Sequence, residues 1–119
     1  MSIFDMFSGI FGGGKSMTAA EAAEKIKTLD KYAIVDIREP EEYVEGVVEG
    51  ATFIPQNKLE SEITKAVPDK TTTVFVYCYS GGRASGAVAA LKSMGYENAY
   101  NIGGISVPGF QKAFPLVKK

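Results

Sequence analysis

The apolar positions of this chain fall into short dense runs separated by stretches of helical spacing. Ala33-Ile34-Val35-Asp36-Ile37 predicts a buried strand, Ala51–Ile54 a second one ended by Pro55, and Ala99–Ile102 a last short one. Thr72–Tyr77 predicts the strongest strand, β-branched and aromatic, with apolar residues on both faces at its end. Between these runs the period changes. Thr18-Ala-Ala-Glu21 has the spacing of a capping box, and Ala22, Ala23, Ile26 and Leu29 follow at helical intervals. Pro40 suits the first position of a turn over Glu41–Glu45. Leu59, Ile63 and Ala66-Val67 predict a helix across Lys58–Val67, stopped by Pro68. Small and apolar residues predict another helix over Ala84–Met94, with Gly95 as its C-terminal cap, and a final helical stretch lies near Ile105–Phe114. Strands that alternate with helices predict an α/β fold with a parallel sheet. In such sheets ligands bind where strands end and loops begin.

The first residues differ from this pattern. Ile3, Phe4, Met6, Phe7, Ile10 and Phe11 approximate one helical face before Gly12-Gly13-Gly14 interrupts it. Residues 1–16 therefore read as an apolar, Gly-rich arm and residues 17–119 as the domain. The arm has no cation before its apolar run and no basic face, which argues against a secretory signal and against lipid binding. It reads as a short amphipathic piece that docks on its own domain or frays, with weak self-association as its further expected use. Gly9–Ser16 also matches the phosphate-binding pattern G-x-x-x-x-G-K-[ST], with Asp36 as a nominal metal partner. That pattern needs a buried strand before it and a helix immediately after it, and the pattern of apolar residues predicts neither.

The composition removes several chemistries. The 119 residues make one domain, large enough to bury a core without disulfides or metal. There is no His, so catalytic arrangements built on Cys-His or Ser-His-Asp and His-containing zinc sites are excluded. A net charge of −1 gives no basic field for nucleic acid. No apolar run reaches membrane-spanning length. The single cysteine, Cys78, cannot form an intrachain disulfide and suits a reducing, cytoplasmic compartment.

Cys78 stands at the end of the strongest strand, before Tyr79-Ser80-Gly81-Gly82-Arg83 and a helix. Two glycines allow successive N–H groups to turn inward, a helix N-terminus follows, and Arg83 adds a permanent cation. Each feature stabilises a thiolate, a persulfide anion or an oxyanion at this point. A buried, inert thiol would need neither the glycines nor the arginine.

Here the chain resembles the rhodanese sulfurtransferases. Cys78-x-x-Gly81-x-Arg83 is similar to their active-site loop, and Val35–Tyr43 resembles the V-D-x-R-x-x-x-E-[FY] segment. Glu45–Ala51 resembles G-H-I-x-G-A, and Asn101–Ile105 resembles the closing N-L-x-G-G segment. The resemblance implies a five-stranded parallel sheet flanked by helices on both faces. It implies a sulfur transfer in which Cys78 attacks thiosulfate or a similar sulfane donor and carries the sulfur as a persulfide. The N–H groups of Tyr79, Ser80, Gly81, Gly82 and Arg83 would hold its charge. A thiol, cyanide or a protein sulfur acceptor then takes the sulfur, with no cofactor or metal. Asp36 and Arg38 are expected to support the loop, Asp36 by accepting its hydrogen bonds, and Glu42 to pair with Arg38 four residues earlier. Tyr32, Tyr77, Tyr96 and Tyr100 are expected to be packing and edge residues, and Lys118-Lys119 a solvated tail.

The chain departs from that family at Val47, where a His is usual, and at Val107 or Pro108, near a usual Trp. The loss of that His and the apolar arm leave a second reading, a non-catalytic interaction module on the same fold. A third is phosphatase or arsenate reductase chemistry, but that loop is Cys-x5-Arg, and here four residues separate Cys78 from Arg83.

Overall fold

A computed structural model describes residues 15–119. The glycines and apolar residues of the expected arm, and most of the nominal phosphate loop, lie outside the described residues. Five strands form one parallel sheet: β1 (Lys15–Ser16), β2 (Tyr32–Asp36), β4 (Thr52–Phe53), β5 (Thr73–Cys78) and β6 (Ala99–Gly104). Their spatial order is β1-β6-β5-β2-β4, and every pairing is parallel. The sheet takes in Lys15 and Ser16, which pair with Tyr100 and Asn101, two residues earlier than the expected domain boundary. Backbone pairing makes that contact, so no apolar pattern announces it. These two residues are extended rather than helical, and the first helix starts only at Ala19, which removes the context a phosphate loop requires.

Helices cover both faces. The first, α1 (Ala19–Ile26), opens with the expected reciprocal cap: Glu21 N–H donates to Thr18 Oγ1 at 3.0 Å, and Thr18 N–H donates to Glu21 Oε1 at 2.9 Å. It shares one face with the short α4 (Phe110–Ala113), packing Ala19, Ala22, Phe110 and Phe114 on Ile34, Phe75, Tyr77 and Ile102. On the other face lie α2 (Leu59–Ala66) and α3 (Gly82–Ser93). There Leu59, Ile63, Ala87, Val88 and Leu91 pack on Val35, Val74, Val76 and Cys78. Strand β5 is buried along its whole length, as a central parallel strand must be. Its alternation sends Tyr77 to the α1 face and Cys78, one residue later, to the α3 face.

Two local expectations change, and one strand pairing is added. The stretch Ile105–Phe114 holds only the four-residue α4, because Gly109 takes φ +90° as its N-terminal cap and the preceding residues form turns. Helix α3 begins at Gly82 rather than Ala84, so Arg83 sits in its first turn. Beside the main sheet, β3 (Val47–Val48) pairs antiparallel with β7 (Leu116–Val117). Two-residue strands carry no period, so neither could be foreseen. Beyond this pairing Lys118 and Lys119 are exposed, as expected of a solvated tail, and Lys119 Nζ lies 4.7 Å from the centre of the Phe53 ring and 5.4 Å from that of Tyr43. Val47 is buried in this ribbon, and as an apolar residue it leaves no polar atom there to satisfy.

Candidate active site

Cys78 is the last residue of β5 and is 1% exposed. Its Sγ accepts a hydrogen bond from the Gly81 amide at 3.1 Å. Gly81 can present that amide because it takes φ +100°, a left-handed conformation that side chains resist. It also caps α3, and no side chain caps that helix. The first-turn amides of Gly82, Arg83 and Ala84 therefore keep donor capacity beside the thiol's loop.

The loop carbonyls are tied outward. Cys78 O accepts from Ile105 N at 3.2 Å, and Tyr79 O accepts from both Ser106 N and Ser106 Oγ at 2.9 Å. Gly81 O accepts from Asn101 Nδ2 at 3.0 Å and from Ser85 N at 3.1 Å. Arg83 O accepts from Gln56 Nε2 at 3.2 Å. Asn101 is itself oriented by Gly103 N, which donates to its Oδ1 at 2.9 Å. Carbonyls fixed in these directions leave the amide side of the turn free for an anion. Strand β6 must approach closely to make these bonds. A Cβ on Gly104 would lie 2.3 Å from the Tyr79 carbonyl carbon, so only glycine fits there. Tyr79, Ser80 and Gly82 are exposed, whereas Gly81 and Arg83 are partly covered.

Arg83 does not stand free. Its two terminal nitrogens each reach a Glu42 carboxylate oxygen at 2.8 Å, a bidentate fork. That hydrogen-bonded partner holds the Glu42 carboxyl down at about 2, and Glu42 in turn raises the Arg83 pKa. Glu42 thus pairs with a residue 41 positions away, not with Arg38 as its spacing suggested. The reason is local geometry. Arg38 lies before the 3₁₀ turn Pro40–Glu45 rather than within a helix, so the i,i+4 relation never forms. Glu42 also accepts from Glu39 N at 2.8 Å, which fixes its carboxylate at the start of that turn.

Arg38 is fully buried and works as the hub beneath. Nε and Nη2 donate to the Asp36 carboxylate, Nη2 also donates to Gly46 O at 2.8 Å, and Nη1 donates to Glu42 O at 3.1 Å. Burial pulls its pKa down, but the Asp36 carboxylate outweighs burial and the net shift is upward. Asp36 also accepts from Tyr77 Oη at 2.7 Å, and Tyr77 Oη accepts from Val48 N at 3.0 Å. Burial, then the Asp36 contact, raises the Tyr77 pKa. Asp36 therefore accepts from Arg38 and from Tyr77, the residue before Cys78, rather than from loop amides. Tyr77 is more than a packing residue, and neither its partner nor those of Glu42, Gln56 and Ser106 follow from spacing. The motif segment Asn101–Gly104 did point to β6, and its residues do meet the loop.

A thiol at the rim of a five-stranded parallel sheet, held by the amide of a glycine turn at a helix start, defines a class of single-cysteine α/β domains. A model of the rhodanese-like domain matches residues 18–107. Over 84 residues the chain is 42% identical to the thiosulfate sulfurtransferase PspE of Escherichia coli K12, covering 71% of this chain and 77% of that protein. It is 37% identical to the thiosulfate sulfurtransferase GlpE of Pseudomonas entomophila over 60% of this chain and 63% of that one. Among solved structures, an E. coli rhodanese with anions superposes with a TM-score of 0.65 at 37% identity, covering 74% of this chain and 99% of that one. A rhodanese-related protein of Thermoplasma volcanium reaches 0.71 at 28% identity, covering 88% and 99%. The chain belongs to the rhodanese-like domain family and is an enzyme of rhodanese type. No helix among the described residues is long and apolar enough to cross a membrane.

Proposed function

We propose that this chain moves sulfane sulfur from a small donor to a thiophilic acceptor through a persulfide on Cys78. The observation that carries this reading is the 3.1 Å hydrogen bond from Gly81 N–H to Cys78 Sγ at the start of α3, which no side chain caps. In the first step the Cys78 thiolate attacks the outer sulfur of the donor. With thiosulfate the sulfur–sulfur bond breaks, its electron pair leaves on sulfite, and one sulfur with one negative charge stays on Cys78. The amides of Tyr79 to Arg83 hold that charge by fixed dipoles, with no proton transfer for a histidine to perform. In the second step a thiolate or cyanide attacks the outer sulfur and Cys78 leaves as thiolate. A small molecule donor and a thiol, cyanide or protein acceptor are its reaction partners.

Asp36, Arg38, Tyr77 and Glu42 position the loop without touching the reacting sulfur. Arg83, forked onto Glu42, anchors the first turn of α3 rather than gripping a tetrahedral oxyanion, which favours sulfur over phosphoryl chemistry. Incubation of the protein with sulfane donors should add one sulfur atom by intact-mass spectrometry, and cyanide should remove it as thiocyanate. Cys78→Ser should show no gain. A protein that gains nothing from any sulfane donor would overturn this reading.

A further inference from the structure

The sulfur transfer proposed above needs fixed amides beside Cys78 Sγ, and one partly buried side chain of β6 reaches the peptide that carries them. Asn101 pairs with Val76, and Val76 faces α3, so the Asn101 side chain lies on the face where the loop turns into that helix. The register then shifts. Strand β5 advances from Val76 to Cys78 while β6 advances from Asn101 to Gly104, so β6 carries one extra residue, a bulge. Gly103, within the bulge, takes φ +92° and donates its N–H to Asn101 Oδ1 at 2.9 Å. That donor fixes which way the amide points: the oxygen faces Gly103, and Nδ2 donates to Gly81 O at 3.0 Å.

Gly81 is the residue on which the site turns. Its own N–H donates to Cys78 Sγ at 3.1 Å. Its ψ is −11°, which brings the next nitrogen, that of Gly82, almost into eclipse with its own, so the two N–H groups stand side by side. Gly82 is the first residue of α3, and its N–H has no acceptor within the helix. Gly81 O and Gly82 N–H belong to one planar trans peptide and point to opposite sides of it, so whatever fixes the oxygen aims the N–H. The oxygen is held from two directions, by Ser85 N along the helix at 3.1 Å and by Asn101 Nδ2 from the sheet at 3.0 Å. The helical bond alone lets the peptide tilt about it, and the second bond removes that freedom.

We propose that Asn101 is a positioning residue for the sulfur transfer. By gripping Gly81 O it aims the Gly82 N–H at the outer sulfur of the persulfide, where the negative charge comes to rest once the donor's sulfur–sulfur bond has broken. The unloaded sulfur is held by Gly81 N–H, which belongs to the preceding peptide and not to the one that Asn101 grips. Asn101 therefore acts on the loaded state and on the transition state leading to it, rather than on the unloaded cysteine.

The test measures two rates on the same protein: formation of the Cys78 persulfide from thiosulfate, by intact mass, and alkylation of unloaded Cys78 by iodoacetamide, which leaves no charge on an outer sulfur. Asn101→Ala should load about tenfold more slowly, less than outright loss of a fixed donor would cost, because the Gly82 N–H is misaimed rather than removed. Its alkylation rate should stay within about twofold of wild type. A merely structural role gives a different pattern: a loosened loop would open a thiol that is 1% exposed and speed its alkylation. Asn101→Asp keeps an oxygen for Gly103 N–H but, as a carboxylate, has no hydrogen for Gly81 O. It should load as slowly as the alanine variant, and it serves as the reading if that variant does not fold. By NMR of glycine-labelled protein, the Gly82 amide proton should move downfield on loading in wild type and move less in either variant. Loading within about twofold of wild type in the variants, or loading and alkylation that change together, overturns the assignment to Asn101 while leaving sulfur transfer intact. Absence of a persulfide on the wild-type protein with any sulfane donor would instead overturn the sulfur transfer itself.

Discussion

Two arginine–carboxylate pairs lie side by side under this loop, and they differ in everything but chemistry. Arg38 and Asp36 have no exposed side-chain area, and every buried side-chain nitrogen and oxygen among the described residues is hydrogen-bonded. Arg83 and Glu42 keep 36% and 27% of their side-chain exposure. A buried pair gains little net stability from its attraction, because desolvation opposes it, but loss of one partner strands a charge in the core. A half-exposed pair is screened and contributes little to stability, yet its fork geometry fixes direction. The inner pair therefore holds the scaffold, and the outer pair aims the loop. They are joined through one backbone group: Arg38 Nη1 holds the carbonyl of the residue whose carboxylate holds Arg83.

This contrast breaks most visibly at the inner pair. Arg38→Met leaves Asp36 buried without its cation and should cost about 3–5 kcal/mol in urea unfolding. A loss below about 1 kcal/mol would show that the hub is not what holds the 40–45 turn. At the outer pair, Glu42→Gln should cost only ~0.5–1 kcal/mol of stability. Under the sulfur transfer proposed above, its effect on loading of Cys78 from thiosulfate should be larger in proportion, a fall of about tenfold, because the start of α3 loses its anchor. Stopped-flow loading followed by mass spectrometry separates the two effects. Equal fractional losses in stability and rate would erase the distinction between the pairs.

The smallest effect is in acid. The Glu42 carboxyl is depressed from an ordinary 4.5 to about 2 by Arg83. A depressed carboxyl contributes its stability in full above its unfolded pKa and loses it as pH falls through the folded one. The stability gap between wild type and Glu42→Gln should thus be constant above about pH 4.5 and vanish as pH drops through about 2. Urea midpoints at stepped pH check this, and a gap that persists at pH 2 would mean the clamp is not ionic.

The sequence pattern made the sheet legible because burial on both faces leaves unbroken apolar runs, as in Thr73–Cys78, and because Thr18 and Glu21 form a local cap with a fixed spacing. The position of Cys78 and the glycine turn were legible for the same reason: their chemistry is carried by neighbours in sequence. The clamp was not. Glu42 and Arg83 meet only after β2 and β5 pair in register, Asp36 beside Tyr77, and no local rule predicts that. The Arg38–Glu42 expectation failed because it assumed an α-helical stagger where the chain makes a 3₁₀ turn after an extended residue. Ser106 reaches a loop carbonyl from a turn and Gln56 from the 3₁₀ segment Gln56–Lys58, neither long enough to show a period in the sequence.

The β3–β7 ribbon gives this site a mechanical handle. A Cβ on Gly46 would come within 2.9 Å of Leu116 Cβ, and the Gly46 carbonyl is one of the two that Arg38 grips outside its carboxylate partner. A pull or a bulky label at Leu116–Val117 is therefore felt at the hinge that aims Glu42. A fluorophore attached there would act as a strain gauge for the loop more than 30 residues upstream in the chain.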